Sequence, residues 1–428
     1  MSILRVRTLD RGENGQRPTQ NVTKIENTQN ERQKEYIRAV KEVKLDYLFS
    51  KPFVCSLGGH KEGITRIVKS PTDNNVIASV SYEGGIHVWD LCARTSIEYI
   101  HKKGHTTNAV AFLQDKLMYS YKNNIVLKDI NGLTKNSTKT ETEFLSKNAV
   151  LDIAPGKDDG FFVSTVEGIE VFDKERIKPV ATYKSDRQCT RLLWNKQLEW
   201  LVYSVESNQV VGYDTRTGSR EFAVTAGSEV NAISIDPSQT NHFAAALNSG
   251  EIRVYNIAFI KPNPEKAYET SFARVFRGHA SPTLDLEYSM NGKHLVTGSL
   301  DRTVRVFNND LYHNQENIYH NRRMLGVNAV CCTNDNNYVI SGSVDANLRV
   351  WKLDATRSLK VLSHREEESR LAGALLMEKY RDVQELSALK RHKVVPKRLK
   401  GEMRNRYHHV QSVKRKERNV REFNGPSG

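Results

Sequence analysis

Residues 278–308 read GHASPTLDLEYSMNGKHLVTGSLDRTVRVFN, and the organisation of the whole chain turns on this segment. It opens on a Gly-His pair, Gly278-His279, and alternates in polarity as far as Tyr288, which predicts a strand with one buried face. Asn291-Gly292 supplies a turn, and LVTGSLD and TVRVF follow as two more short strands around a second turn. The second half recurs as YVISGSVDANLRVWK at residues 338–352. Near the other end GHKEGITRIVKSPTDNNVIASVSYEGGIHVWD repeats the full unit at residues 59–90, and GHTTNAVAF opens another at 104–112. Weaker copies between them close with GIEVFD, QVVGYD and EIRVYN. Short strands recurring at a fixed period imply units that bury their apolar faces only by stacking on one another.

Equivalent closing positions fall at Trp89, Lys128, Phe172, Tyr213, Tyr255, Phe307 and Trp351, with gaps of 39, 44, 41, 42, 52 and 44 residues. A Gly-His start, a Trp-Asp-like end and this period resemble the WD repeat, which implies four strands per propeller blade. Seven units predict an all-β fold, a closed seven-bladed propeller, over residues 52–356. The long gap contains AFIKPNPEKAYETSFARVF (258–276), which reads as an inserted surface loop, and NDLYHNQENIYHNRRM (309–324) reads the same way. Closure requires that no strand edge stay open, and PFVCSL (52–57) is the candidate to complete the last blade from the N-terminal side.

His279, Ser299 and Asp301, like Ser343, Asp345 and Trp351, look at first like nucleophile constellations. Their recurrence in successive units argues instead for blade-locking hydrogen-bond networks, as the WD resemblance implies; His60, Trp89 and His105 join the same set. Glu83 stands where the turn aspartate is usual, and Lys128 replaces the closing aromatic, so blades 1 and 2 are expected to be looser. Phosphate-binding glycine loops and HExxH are missing, and no cofactor or metal is expected. The five cysteines are odd in number and show no CxxC spacing, which reads as reduced core thiols. No apolar run approaches the roughly 18 residues of a membrane span, and MSILRVRTLDRGENGQRPTQ lacks a secretory apolar region.

The ends hold the charge. The whole chain carries a net +14, and residues 389–428 contain 13 Lys and Arg against 3 Glu, a surplus of 10. A neutral body with a basic end points to an acidic partner. Before the ring, within an extension expected over residues 1–51, Tyr36, Val40, Val43, Tyr47 and Leu48 predict a short amphipathic helix after an extended polar segment. After it, over residues 357–428, Ser363 and Glu366 have capping-box spacing. Leu371, Leu375, Leu376, Tyr380, Val383, Leu386 and Leu389 then predict one helical stripe, and Pro396 a break. The polyanion contacts read from this region are Lys390, Arg391, His392, Lys393, Lys397, Arg398, Lys400, Arg404, Arg406, Lys414, Arg415, Lys416 and Arg418. Tyr407 and His408 add rings able to stack on unpaired bases.

KEYIRAVKEVKLDYLFSKPF before the ring resembles the Sof-one family of WD-repeat factors, as does SGSVDANLRVWK with the helical and basic region after it. RHKVVPK (391–397) matches that family's basic motif, with Val394 where the family has histidine. The resemblance implies a non-catalytic nucleolar scaffold of the small-subunit processome. Its implied partners are processome proteins, the box C/D small nucleolar ribonucleoprotein and pre-ribosomal RNA, with neither membrane, small-molecule substrate nor homo-oligomer called for. The alternative is a substrate receptor of a cullin-based ubiquitin ligase. It rests on Asp214 and Arg216 in VVGYDTR, an Asp-x-Arg after a closing aromatic, whereas WDLCAR has Cys92 at the matching place.

Overall fold

The computed structural model describes residues 25–102, 105–130, 141–157, 160–185, 187–259, 273–309, 316–356, 361–391 and 395–423. The chain divides into two compact units, Met1–Phe49 with Ser358–His392, and Ser50–Arg357 with Lys393–Gly428.

Seven four-stranded antiparallel sheets form the blades of the second unit. Six take their strands consecutively, over residues 64–100 (blade 1), 107–145, 150–184, 191–225, 230–277 and 283–319 (blade 6). In blade 7 the inner three strands are Val327–Cys332, Tyr338–Ser343 and Asn347–Lys352, and the outer strand is Phe53–Gly58. Cys55 faces Val350 and Leu57 faces Leu348 across that closing ladder. Pro52, which has no N–H to donate, contributes its carbonyl to Lys352 N at 2.7 Å.

All seven closing positions lie on the third strand of their blades, opposite a second-strand residue such as Ile77 for Trp89 and Val339 for Trp351. The six aromatics are buried. Lys128 ends instead in an ion pair with Glu98 of blade 1 at 2.7 Å and a longer one with Glu141 at 3.6 Å. The core lies between blades rather than within them. Val80 and Val88 of blade 1 cluster with Val110 and Leu117 of blade 2, and Ile340 and Leu348 of blade 7 with Ile64 and Ile77 of blade 1. Cys331 and Cys332 point into two such interfaces from opposite faces of one strand.

Two expected loops are shorter than the sequence suggests. Arg274–Arg277 and Glu316–Tyr319 are the outer strands of blades 5 and 6, each of four residues. Outer strands cover only one apolar face, so their hydrophobic signal is weak. Residues 260–272 and 310–315 lie outside the described residues.

The first unit contains α1 (Ile25–Phe49), α2 (His364–Lys379) and α3 (Gln384–Arg391). α1 is longer than expected, and its helix takes in residues assigned above to an extended segment. Ala39 and Val43 bury against Leu386, with Tyr36, Val40, Leu376, Met377 and Tyr380 around them. Glu35 accepts from Lys379 Nζ at 2.7 Å and from the Tyr380 hydroxyl at 3.0 Å, joining both ends of the chain. The Glu366 carboxylate accepts Ser363 N–H at 2.9 Å, the capping box anticipated from the spacing. The single stripe is corrected: Leu371 and Leu375 are exposed, because the helix breaks between Lys379 and Gln384 and α2 buries the side marked by Gly373.

α4 (Lys397–Phe423) belongs to the second unit. Pro396 does not interrupt a helix but precedes one, its carbonyl accepting Lys400 N at 3.1 Å. A proline's missing N–H costs nothing at a helix start.

Candidate functional site

The recurring polar residues form local networks. In blade 6, His279 Nδ1 meets Asp301 Oδ2 at 2.9 Å and Nε2 meets Thr297 Oγ1 at 2.8 Å. Asp301 also accepts from Thr303 N at 3.0 Å and lies 3.7 Å from the buried Arg305. Burial opposes its ionisation, but His279, Thr303 and Arg305 outweigh this and hold the carboxyl down to about 2. In blade 1 the Trp89 indole donates to Ser79 Oγ at 2.8 Å, leaving the serine hydrogen for His60 Nε2 at 2.6 Å. In blade 7 the Trp351 indole donates to Ser341 Oγ at 2.8 Å, and Arg349 pairs with Asp345.

The hydroxyls that meet the histidine or tryptophan are therefore Ser79, Thr297 and Ser341, the last two lying two residues before Ser299 and Ser343, the serines singled out from sequence. Ser299 donates to Pro282 O at 2.8 Å, and Ser343 accepts from Asp345 N at 3.5 Å; both shape the turn. The signal was present in SVS, TGS and SGS at residues 79–81, 297–299 and 341–343. His105 has no such partner, since Tyr119 holds the hydroxyl position in blade 2; its ring packs 5.8 Å from Tyr121.

A second repeated device escaped the sequence reading. Asn108 donates to Val150 O at 3.3 Å, Asn231 to Thr283 O at 2.7 Å and Asn328 to Ile64 O at 3.0 Å. Each acceptor is the first residue of the next blade's inner strand, so TNAV, VNAI and VNAV mark bridges from blades 2, 5 and 7 to their neighbours. Arg66 of blade 1 reaches past blade 2 to form a two-pronged pair with the buried Asp152 of blade 3, one prong at 2.9 Å. Burial raises the Asp285 carboxyl nearby although Arg191 pulls it down.

Asp214 accepts Arg216 N at 2.9 Å and Nε at 3.3 Å, and the exposed guanidinium lies 5.3 Å from the centre of the Trp200 ring. Cys92 N donates to Asp90 and Thr356 N to Asp354 in the same way. The aspartate is thus a recurring turn cap, and Arg216 is what distinguishes blade 4.

On α4, Lys397, Arg398, Lys400, Arg404, Lys414, Arg415, Lys416 and Arg418 are all exposed, with Arg398 held by Glu402 at 2.8 Å. Arg406 is the exception. Its guanidinium donates to His279 O and Ser249 O, fastening the helix at the junction of blades 5 and 6. Gly250 has φ +77°, and a Cβ there would lie 2.7 Å from Arg406 Nη1, so glycine keeps the seat open. At 100° per residue, Arg406 shares a face with the buried Leu399, while the exposed cations spread around the other sides. Tyr407 and His408 are exposed. Lys390 and Arg391 fall at the end of α3, with side chains outside what is described; His392 and Lys393 lie outside the described residues.

A ring of seven such blades, closed by an N-terminal strand and matched by the WD domain, G-beta repeat model at residues 51–90, 270–308 and 319–352, is a WD-repeat propeller. The solved WD40 β-propeller domain of Doa1 superposes with a TM-score of 0.56 at 15% identity, covering 70% of this chain and 96% of that one. The Sof1-like domain model matches residues 354–427. DDB1- and CUL4-associated factor 13 of Dictyostelium discoideum is 30% identical over 406 residues, 93% of this chain and 88% of that protein. Protein SOF1 of Saccharomyces cerevisiae is 27% identical over 423 residues, 91% of this chain and 84% of that protein. The chain belongs to this Sof-one family of WD-repeat proteins.

Proposed function

We propose that the chain is a non-catalytic scaffold of the small-subunit processome, serving pre-18S rRNA processing and 40S subunit assembly in the nucleolus. The observation that carries this reading is α4. One of its faces, marked by the buried Leu399, is fastened to the ring by Arg406, and its remaining sides present eight exposed cations to a polyanion. Membership of the Sof-one family supports the pre-ribosome as the source of that polyanion. The blade networks are spent on holding the ring, which leaves its surfaces for protein contacts. The test is a charge-reversed chain, Lys414→Glu, Arg415→Glu, Lys416→Glu and Arg418→Glu. Its co-sedimentation with small-subunit precursors should fall, and its log–log salt dependence on single-stranded pre-rRNA should flatten by about 3. Undiminished association with an unchanged slope rejects the role of α4.

A second role as a substrate receptor of a cullin-RING ligase is favoured by Arg216. It is exposed, stacked on Trp200 and held by Asp214 on the face of the ring opposite the α4 anchor. Relatives named DDB1- and CUL4-associated factor 13 support it. Arg216→Glu should abolish capture of the DDB1 adaptor while leaving the melting temperature in place; retained capture removes this reading.

A further inference from the structure

The turn before each third strand places one residue at the same point on the loop face of the ring. Going round, these are Tyr82, Lys122, Val166, Ser207, Asn248, Leu300 and Val344. Tyr82 N bonds to Gly63 O at 3.0 Å, Val344 N to Gly326 O at 2.9 Å and Leu300 N to Pro282 O at 3.1 Å, so the three are held alike by the loop that enters their own blade. They occupy consecutive blades 6, 7 and 1, and they are large, apolar and exposed at 44%, 41% and 56%. Blades 2, 4 and 5 carry Lys122, Ser207 and Asn248 instead.

The three side chains form one surface. A Cβ on Gly63 would sit 3.3 Å from the Tyr82 ring and 3.0 Å from Val344 Cα; one on Gly326 would sit 2.9 Å from Leu300 and 3.7 Å from Val344 Cγ2. Leu325, 38% exposed, fills the arc between blades 6 and 7. Beyond Tyr82 the surface dips into a cavity of about 240 Å³ lined by Thr65, Thr106, Thr107 and Asn108, room for one apolar side chain. Asn328 Nδ2 lies 3.4 Å from the Tyr82 hydroxyl and steadies the ring that forms the cavity wall. The position is apolar in four blades of seven, and in three of these, which are adjacent, the side chains merge into one exposed contact surface, whereas Val166 of blade 3 stands alone.

Charge identifies the partner. Arg302 lies on the Leu300 turn, Arg322 and Arg323 immediately precede the Leu325 loop, and Lys61 flanks Gly63; all four are exposed. Glu62, Glu83, Asp301 and Asp345 are the acidic residues on these same loops; Glu83 accepts the Tyr99 hydroxyl at 3.2 Å, and the buried Asp301 is held by His279 and Arg305. Asp345 is taken by Arg349. We infer that the arc over blades 6, 7 and 1 docks an apolar segment of a partner protein with acidic flanks, one of its side chains filling the cavity beside Tyr82.

Panning a phage library of short random peptides on the full chain tests this. Recovered peptides should combine aliphatic or aromatic residues with Asp and Glu, and bind at least about tenfold more weakly to the Leu300→Glu, Val344→Glu chain. Val166→Glu, at the same ring position in blade 3, should bind them as the parent does, and so serves as the control for added charge. Arg322→Glu with Arg323→Glu, which leaves the apolar arc intact, should also weaken them. Recovery of basic peptides, no recovery at all, affinities untouched by both double variants, or displacement of the peptides by single-stranded RNA would each overturn the inference.

Discussion

In blade 6 the His279 ring is held on both nitrogens, by Asp301 and by Thr297, whereas in blade 1 His60 Nδ1 has no hydrogen-bond partner among the described residues. The difference traces to one methylene. Glu83 occupies the aspartate position of blade 1, and its longer carboxylate turns outward to Tyr99. Burial, with the nearby His87 adding to it, depresses His60 from 6.5 to about 4. The unfolded chain therefore takes up this proton first, so the stability associated with His60 is complete above pH 6.5 and is lost as pH falls towards 4. Asp301 adds a separate loss, between 3.8 and about 2, where its held-down carboxyl at last protonates. Glu83→Asp should give His60 the carboxylate that His279 has, raise its pKa and strengthen blade 1 by about 1 kcal/mol. Thermal melts at pH 5 and pH 7 check this: the gap between the two melting temperatures should narrow, and an unchanged gap means Glu83 is not the cause.

Among the elements, the strands were legible and the helices only partly so. Blade strands announce themselves through alternation, turn residues and a period, and all seven closing positions fall on third strands. The outer strands at Arg274–Arg277 and Glu316–Tyr319 were hidden because half of each faces water. In α2 the buried side is marked by Gly373, where a Cβ would come within 3.4 Å of the Glu42 carboxylate. Glycine on the buried side leaves no apolar signal to read, while the exposed Leu371 and Leu375 supply a misleading one. Arg406 shows the same limit in the basic region. Composition groups it with the other cations; only the helical phase it shares with Leu399, Met403 and Val410 hints that it faces the ring. The Asn-Ala pairs of blades 2, 5 and 7 were visible as a repeat, but their acceptors are backbone carbonyls of another blade and have no signature in sequence.

For the molecule as a whole, closure rests on one ladder, and its register can be tested with a thiol already present. Cys55 faces Val350, so Val350→Cys should join Cys55 on oxidation. Tying the ring across nearly its full length should add about 5 kcal/mol by the chain-entropy account. Peptide mapping locates the bond; a slip of one residue would bring Arg349 or Trp351 opposite Cys55 and leave the thiols unjoined. The same ladder sets a constraint on how the protein is made. Phe53 pairs with Trp351, so the outermost strand of the final blade is the first of the ring's strands to leave the ribosome and its partner the last. At roughly 5–20 residues per second, Phe53–Gly58 waits about 15–60 s with both edges open. During that interval the nascent chain carries an adhesive β-segment ahead of the blades already made, so its yield depends on what shields six residues until the last strand of the ring emerges.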